Sequence, residues 1–202
     1  RWNALYGIDC AVVPPVLVPD RYLAHQTGTK VLYVNPSAIK GVEIMFALAA
    51  ACPELQFLVV ESWTLDPQWR LHLQQRAAQL GNIEWCSPVS DMRAIYAKSR
   101  VLLMPSVWEE SFGRTVMEAQ LNGLPVLASN RGALPQLVGH GGIAMDLQAP
   151  LADWAQALRK LHAPSSNAAY AAAAQQQAAA YVAETPLVLA RLLSLLAVHA
   201  NR

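Results

Sequence analysis

The run Glu110-Ser111-Phe112-Gly113-Arg114-Thr115-Val116-Met117-Glu118 places two carboxylates eight positions apart around a glycine. A glycine at a helix start lets backbone come close to a ligand, and the first N–H groups of the helix have no partners inside it. With the helix dipole, those groups suit a phosphate. Lys40, at the end of an earlier apolar run, supplies a cation to neutralise it. Carboxylates repel phosphate, so Glu110 and Glu118 suit another task, accepting hydrogen bonds from sugar hydroxyls. Phosphate plus two hydroxylated groups points to a nucleotide diphosphate sugar. Spacing alone leaves a blander reading open, with Glu118 an ordinary helix residue and Glu110 a cap-region acid. A glycosidase-like acid and base fits the residue types less well, because both acids come from one local crossing rather than opposite walls of a cleft.

The elements that must position these residues are legible as an alternation. Short apolar runs at 31–34, 56–60, 83–86, 101–104, 125–128 and 143–145 predict strands. Helical patterns lie between them: 42–51 closed by Pro53, 67–80 stopped by Gly81, a short helix capped by Ser90 or Asp91 and ending at Ala97, the helix after Gly113, and 132–138. Buried strands each followed by a helix predict an α/β fold. The expected form is a doubly wound, mostly parallel, Rossmann-like sheet with helices on both faces and extra C-terminal helices. The loops at 35–40, 61–63, 87–91 and 105–113 all follow strands, so they line one edge, where such sheets bind ligands. Residues 1–30 read as a lead-in, with at best a short strand at 11–18 interrupted by Pro14 and Pro15. Residues 31–150 read as the core, and 151–202 as helices packing on the same domain. The helix at 167–183 is rich in Ala and Gln. The last, at 187–199, has leucines over much of its circumference and is expected to be buried on more than one side.

Composition narrows the function classes. The chain has 202 residues, 54% hydrophobic and 14% charged, with a net charge of +1, so no nucleic-acid partner is expected. Cys10, Cys52 and Cys86 are scattered with no CxxC spacing, which predicts reduced thiols in a cytoplasmic protein. The five histidines show no metal spacing, and no metal is expected. No uninterrupted apolar run of ~18 residues occurs, so no transmembrane segment is expected. The chain begins at Arg1 and is expected to be a piece of something longer. Trp108, beside Glu110, is the tryptophan singled out for a site role.

Pro105-Ser106, Glu110-Ser111-Phe112-Gly113, Glu118-Ala119 and Gly123-Leu124-Pro125-Val126 together resemble the signature of retaining GT-B glycosyltransferases, of the glycogen-synthase-like and sucrose-synthase-like group. Lys40-Gly41 is similar to the phosphate-binding lysine of that family, and Pro135-Gln136-Leu137-Val138 to its Pro-Glu-Leu-Val segment. The resemblance implies a hexosyltransferase using a nucleotide-sugar donor, UDP- or GDP-linked, with no cofactor and no metal. It implies Glu110 on the transferred hexose and Glu118 on the ribose. Lys40, Ser37 and the backbone of Ser111, Phe112, Gly113, Arg114 and Thr115 would hold the diphosphate, and the loop at Val89 the base. Lys40 and Glu110 are the expected catalytic residues. Two departures stand out. The arginine that usually precedes the lysine is absent from Asn35-Pro36-Ser37-Ala38-Ile39-Lys40. Only the C-terminal, donor-binding half is present, so an N-terminal Rossmann-like acceptor domain is missing and the chain alone is expected to transfer little or nothing. The acceptor, whether sugar, lipid or protein, is open. Two other readings fit the same residues: a non-catalytic nucleotide-sugar-binding module, and a nucleotide-sugar epimerase on the same fold.

Overall fold

The computed structural model describes residues 6–7 and 13–200, with side chains as far as Leu196. Six strands form one sheet: β1 Lys30–Val34, β2 Phe57–Val60, β3 Ile83–Cys86, β4 Ser99–Met104, β5 Val126–Ser129 and β6 Gly142–Met145. Every pairing is parallel, and the order across the sheet is β3-β2-β1-β4-β5-β6. That order reverses direction between β1 and β4, the switch point at which doubly wound sheets bind ligands.

Continuous apolar strands are what burial on both faces requires. Val31 and Tyr33 of β1, Phe57 and Val59 of β2, and Val101 and Leu103 of β4 face one core, with Met45, Leu73, Trp154 and Leu158. The alternate residues Leu32, Leu58, Val60 and Leu102 face the other, with Ile95, Val116 and Leu134. The first core is covered by α1 Val42–Ala51, α2 Pro67–Leu80 and α6 Leu151–His162. The second lies under α3 Arg93–Ala97, α4 Arg114–Leu121 and α5 Leu134–Val138. Asp66 starts α2 by accepting from the N–H groups of Gln68 and Trp69, and Gly81 ends it in the left-handed conformation. The N-cap of α3 is Met92, with no side-chain cap bond, rather than the expected Ser90 or Asp91; Asp91, one residue earlier, accepts from the N–H of Arg93 at 2.9 Å.

The Ala-rich helix α7, Pro164–Ala183, sits close against α4 and the 139–141 turn. Ala174 and Ala178 are fully buried there, because small side chains let the helix approach without a groove to fill. Two expectations are corrected. Residues 13–18 form no strand, the prolines having removed the ladder donors; residues 8–12 lie outside the described residues. The last helix, α8 Thr185–Ala200, is not buried on several sides: Leu187, Leu189, Leu192, Leu193 and Leu196 are all exposed. In addition, Pro164–Leu196 is long and apolar enough, by length and composition, to cross a membrane. Isolated charges such as Glu184 and Arg191 hid it from a search for uninterrupted apolar runs.

Candidate functional site

Lys40 comes from the turn after β1, Glu110 from the loop after β4, and Glu118 from α4. The sheet order makes β1 and β4 neighbours, so the switch point itself brings Lys40 and Glu110 together. Their side chains form an ion pair through Glu110 Oε1, with both groups nearly buried. Ser106 Oγ, fully buried, donates to the same oxygen at 2.7 Å. Ser106 is held in turn by Ser129 Oγ, which donates to its carbonyl at 2.6 Å. Among the described residues Glu110 Oε2 has no protein partner, so that oxygen is available to a ligand.

Backbone contacts set this pair. The N–H groups of Val107 and Trp108 donate to the carbonyl of Ile39 at 3.0 and 3.3 Å, tying the loop after β4 to the turn that carries Lys40. Gly41 takes φ 76°, and a Cβ there would lie 1.9 Å from the carbonyl oxygen of Pro105. The two loops therefore pass at a distance only glycine permits. The N–H of Ala133 donates to the carbonyl of Glu110 at 2.8 Å, fixing the acid from the β5 side.

Glu118 is buried on α4. Its Oε2 accepts from the Tyr96 hydroxyl at 2.6 Å and its Oε1 from Arg114 Nε at 2.9 Å. A carboxylate offers about four lone-pair sites, so two remain for a diol. Burial first, and the Glu118 charge second, push the Tyr96 phenol well above its usual range and keep it a donor. Arg114 is occupied by Glu118 and by the Tyr22 hydroxyl, so its guanidinium is not aimed freely at a phosphate. Gly113 caps α4 at φ 89° and packs closely on Leu134 and Leu137.

The other expected residues fall unevenly. Thr115 lines a small cleft with Asn35, Lys40 and Ser106 at the switch point. Ser37 precedes the Lys40 turn, and its Oγ is buried with no hydrogen-bond partner among the described residues. Ser111 is exposed. The Phe112 ring is turned onto Tyr181 of α7, with centroids 5.6 Å apart. Val89 is exposed on the loop after β3. Asn35, just after β1, adopts φ 64°, a left-handed turn that an asparagine tolerates.

A family model for group 1 glycosyl transferases matches residues 40–163, more than half of the chain and all of the site from Lys40 onward. The chain belongs to the group 1 glycosyltransferases. Among curated members of the family, D-inositol 3-phosphate glycosyltransferase of Corynebacterium kroppenstedtii is 41% identical over 76 residues, 37% of this chain and 16% of its own length. Two solved GT-B structures share the fold. The glycosyltransferase of Rickettsia africae aligns with a TM-score of 0.79 at 16% identity, covering 96% of this chain and 59% of its own. HepE of Anabaena, solved with UDP-glucose, aligns at 0.72 and 21%, covering 89% and 56%. This glycosyltransferase chain thus spans little more than half the length of those structures, and its sheet is one Rossmann-like half of the GT-B fold.

Residues that sequence reasoning passed over complete the site. Ser106 stood inside the motif but carried no role, and its hydroxyl turns out to seat Glu110. Tyr96 and Tyr22 had no local signal at all, since each reaches the site only through the packing of α3 and of the lead-in against α4.

Proposed function

We propose that this chain is the donor-holding half of a retaining hexosyltransferase that works on a nucleoside diphosphate sugar. The observation that carries the reading is the meeting of Lys40 and Glu110 at the switch point, with Glu118 buried on the helix that starts beside them. Lys40, the Ser37 hydroxyl and the first N–H groups of α4 hold the diphosphate. The free Oε2 of Glu110 accepts from the transferred hexose, and Glu118 accepts from the ribose. The loop at Val89 meets the base. No metal is used.

In the transfer, the bond between the anomeric carbon and the β-phosphate oxygen breaks, and its electron pair leaves with the diphosphate. A bond from the acceptor oxygen forms to the same carbon, and the acceptor proton passes to a diphosphate oxygen. Lys40 and the α4 dipole stabilise the charge that develops on the leaving group, which is electrostatic catalysis by groups already in place. In the free chain the Lys40 charge is balanced by Glu110, so the diphosphate competes for an ammonium that is already oriented. The acceptor half comes from a Rossmann-like domain outside this chain, and the chain alone binds donor weakly and transfers little.

Calorimetry with UDP, GDP and ADP and with their hexose conjugates tests this. Glu118→Ala should weaken nucleotide and nucleotide sugar alike by about 10- to 100-fold, the scale of a hydrogen bond to a charged group. Glu110→Ala should weaken only the sugar-bearing ligand. Equal losses in both variants contradict the division of roles, and no binding of any nucleotide up to about millimolar concentration overturns the reading.

A further inference from the structure

Two tryptophans stand exposed at the ligand edge beside the Lys40–Glu110 pair. Trp63 follows β2 and is 47% exposed; Trp108 follows β4 and is 61% exposed. The Lys40 ammonium lies 5.3 Å from the centre of the Trp63 ring. Trp108 is anchored by its backbone to Ile39, the neighbour of Lys40, and stands just before Glu109 and Glu110. Ile39 and Val107, joined by the same backbone contacts, are exposed as well. Single exposed apolar residues are ordinary. Large ones gathered around a nearly buried ion pair make a surface shaped for contact. The indole face is electron-rich, which is why it attracts the ammonium. The same face suits the C–H side of a pyranose ring, whose hydrogens carry slight positive charge.

We propose that Trp63 and Trp108 are this chain's contribution to an acceptor site otherwise built by the missing half, a stacking wall, and that the acceptor is therefore a glycoside. The inference rests on the nucleotide-sugar reading above. On that reading Lys40 and Glu110, nearly buried and side by side, are the floor taken by the diphosphate and the transferred hexose. The acceptor hydroxyl must reach the anomeric carbon from the open side, and Trp63 and Trp108 stand exposed on the loops around the pair. A pyranose has one apolar face for an indole and a rim of hydroxyls for charged neighbours. Glu109, mostly exposed and paired with Arg131, lies next to Trp108, and Lys40 lies on Trp63. An alkyl chain on this wall would lie against both charges with nothing to offer them.

The test uses the full chain with UDP bound. Methyl α-D-glucopyranoside, methyl α-D-mannopyranoside and octyl β-D-glucopyranoside below its micellar concentration are titrated, and the tryptophan side-chain N–H resonances are followed by NMR. The resonances of Trp63 and Trp108, assigned from Trp63→Phe and Trp108→Phe, should shift with the methyl glycosides. Trp63→Ala and Trp108→Ala should each weaken glycoside binding about tenfold, and the Phe variants, which keep an aromatic face, by much less. Absence of UDP binding by the unmodified chain overturns the nucleotide-sugar reading itself. UDP binding without glycoside binding up to about 100 mM, or with equal glycoside affinity in the alanine variants, overturns only the wall. Binding of the octyl compound with none of the methyl glycosides assigns the surface to an alkyl chain and overturns it too.

Discussion

Glu118 shows what a buried carboxylate needs before it can serve a ligand. Unpaired, it would lose its charge or its place. Tyr96 and Arg114 take one oxygen each, which leaves about two of its four lone-pair sites without these partners. Tyr96→Phe removes the donor from Oε2 without changing the shape of the core. The expected result is a stability loss of about 0.5–1.5 kcal/mol by urea denaturation. UDP affinity should also fall about three- to tenfold by calorimetry, because the acid is free to turn about its remaining partner. Lost stability with unchanged UDP affinity would reduce Tyr96 to a core residue. Ser106 plays the corresponding part for Glu110. Glu110, Glu118 and Lys40 could be singled out from residue types, spacing and resemblance; the hydrogen bonds of Tyr96 and Ser106 to those acids could not, since a hydroxyl acquires its partner from what is packed opposite it.

At the scale of elements, the loops after β1 and β4 carry Lys40 and Glu110, and their closeness depends on Gly41. Gly41 has a left-handed backbone, and any side chain there meets the Pro105 carbonyl. Gly41→Ala combines backbone strain with a backbone clash. It should cost about 2–4 kcal/mol, read as a lower urea midpoint with unchanged slope. An alanine variant as stable as the parent would mean that the loops part easily, and that the Lys40–Glu110 contact is loosely set. The strands were legible because each is a continuous apolar run bounded by Pro, Gly or polar residues. The stretch at 13–18 looked like a strand only by composition, and its prolines decided otherwise. The leucines of α8 gave a correct helix and an incorrect environment. Periodicity reports which faces are apolar, whereas the structure leaves those leucines exposed.

For the molecule as a whole, surface ion pairs set the pH window. Arg93 holds Asp91 down to about 2, and Arg76, Arg159 and Lys30 hold Glu43, Glu54 and Glu84 below the usual carboxylate range. A lowered folded pKa adds stability that is present above the unfolded value and lost as pH falls through the folded one. Each exposed pair contributes little. Together they predict a melting temperature that is steady near neutrality and declines as pH drops from about 4 towards 2. Burial raises the Tyr33 and Tyr96 phenols, the opposite case, so stability should also decline above about pH 10. Scanning calorimetry across pH checks both arms, and a melting temperature that rises below about pH 4 contradicts the first.

The amino-acid order alone determined the alternation of strand and helix, the edge that its loops share, and Lys40, Glu110 and Glu118 as the candidates on it. Those signals are local: an apolar period, a glycine, a cap, a short motif, each complete within a few neighbouring residues. The tertiary structure alone decided that β1 and β4 lie side by side, that Lys40 meets Glu110 across 70 positions, that Tyr96 meets Glu118, and that Trp63 lies over Lys40. Such pairings are chosen by which apolar faces pack together when the whole sheet closes, and no local pattern along the chain encodes that choice.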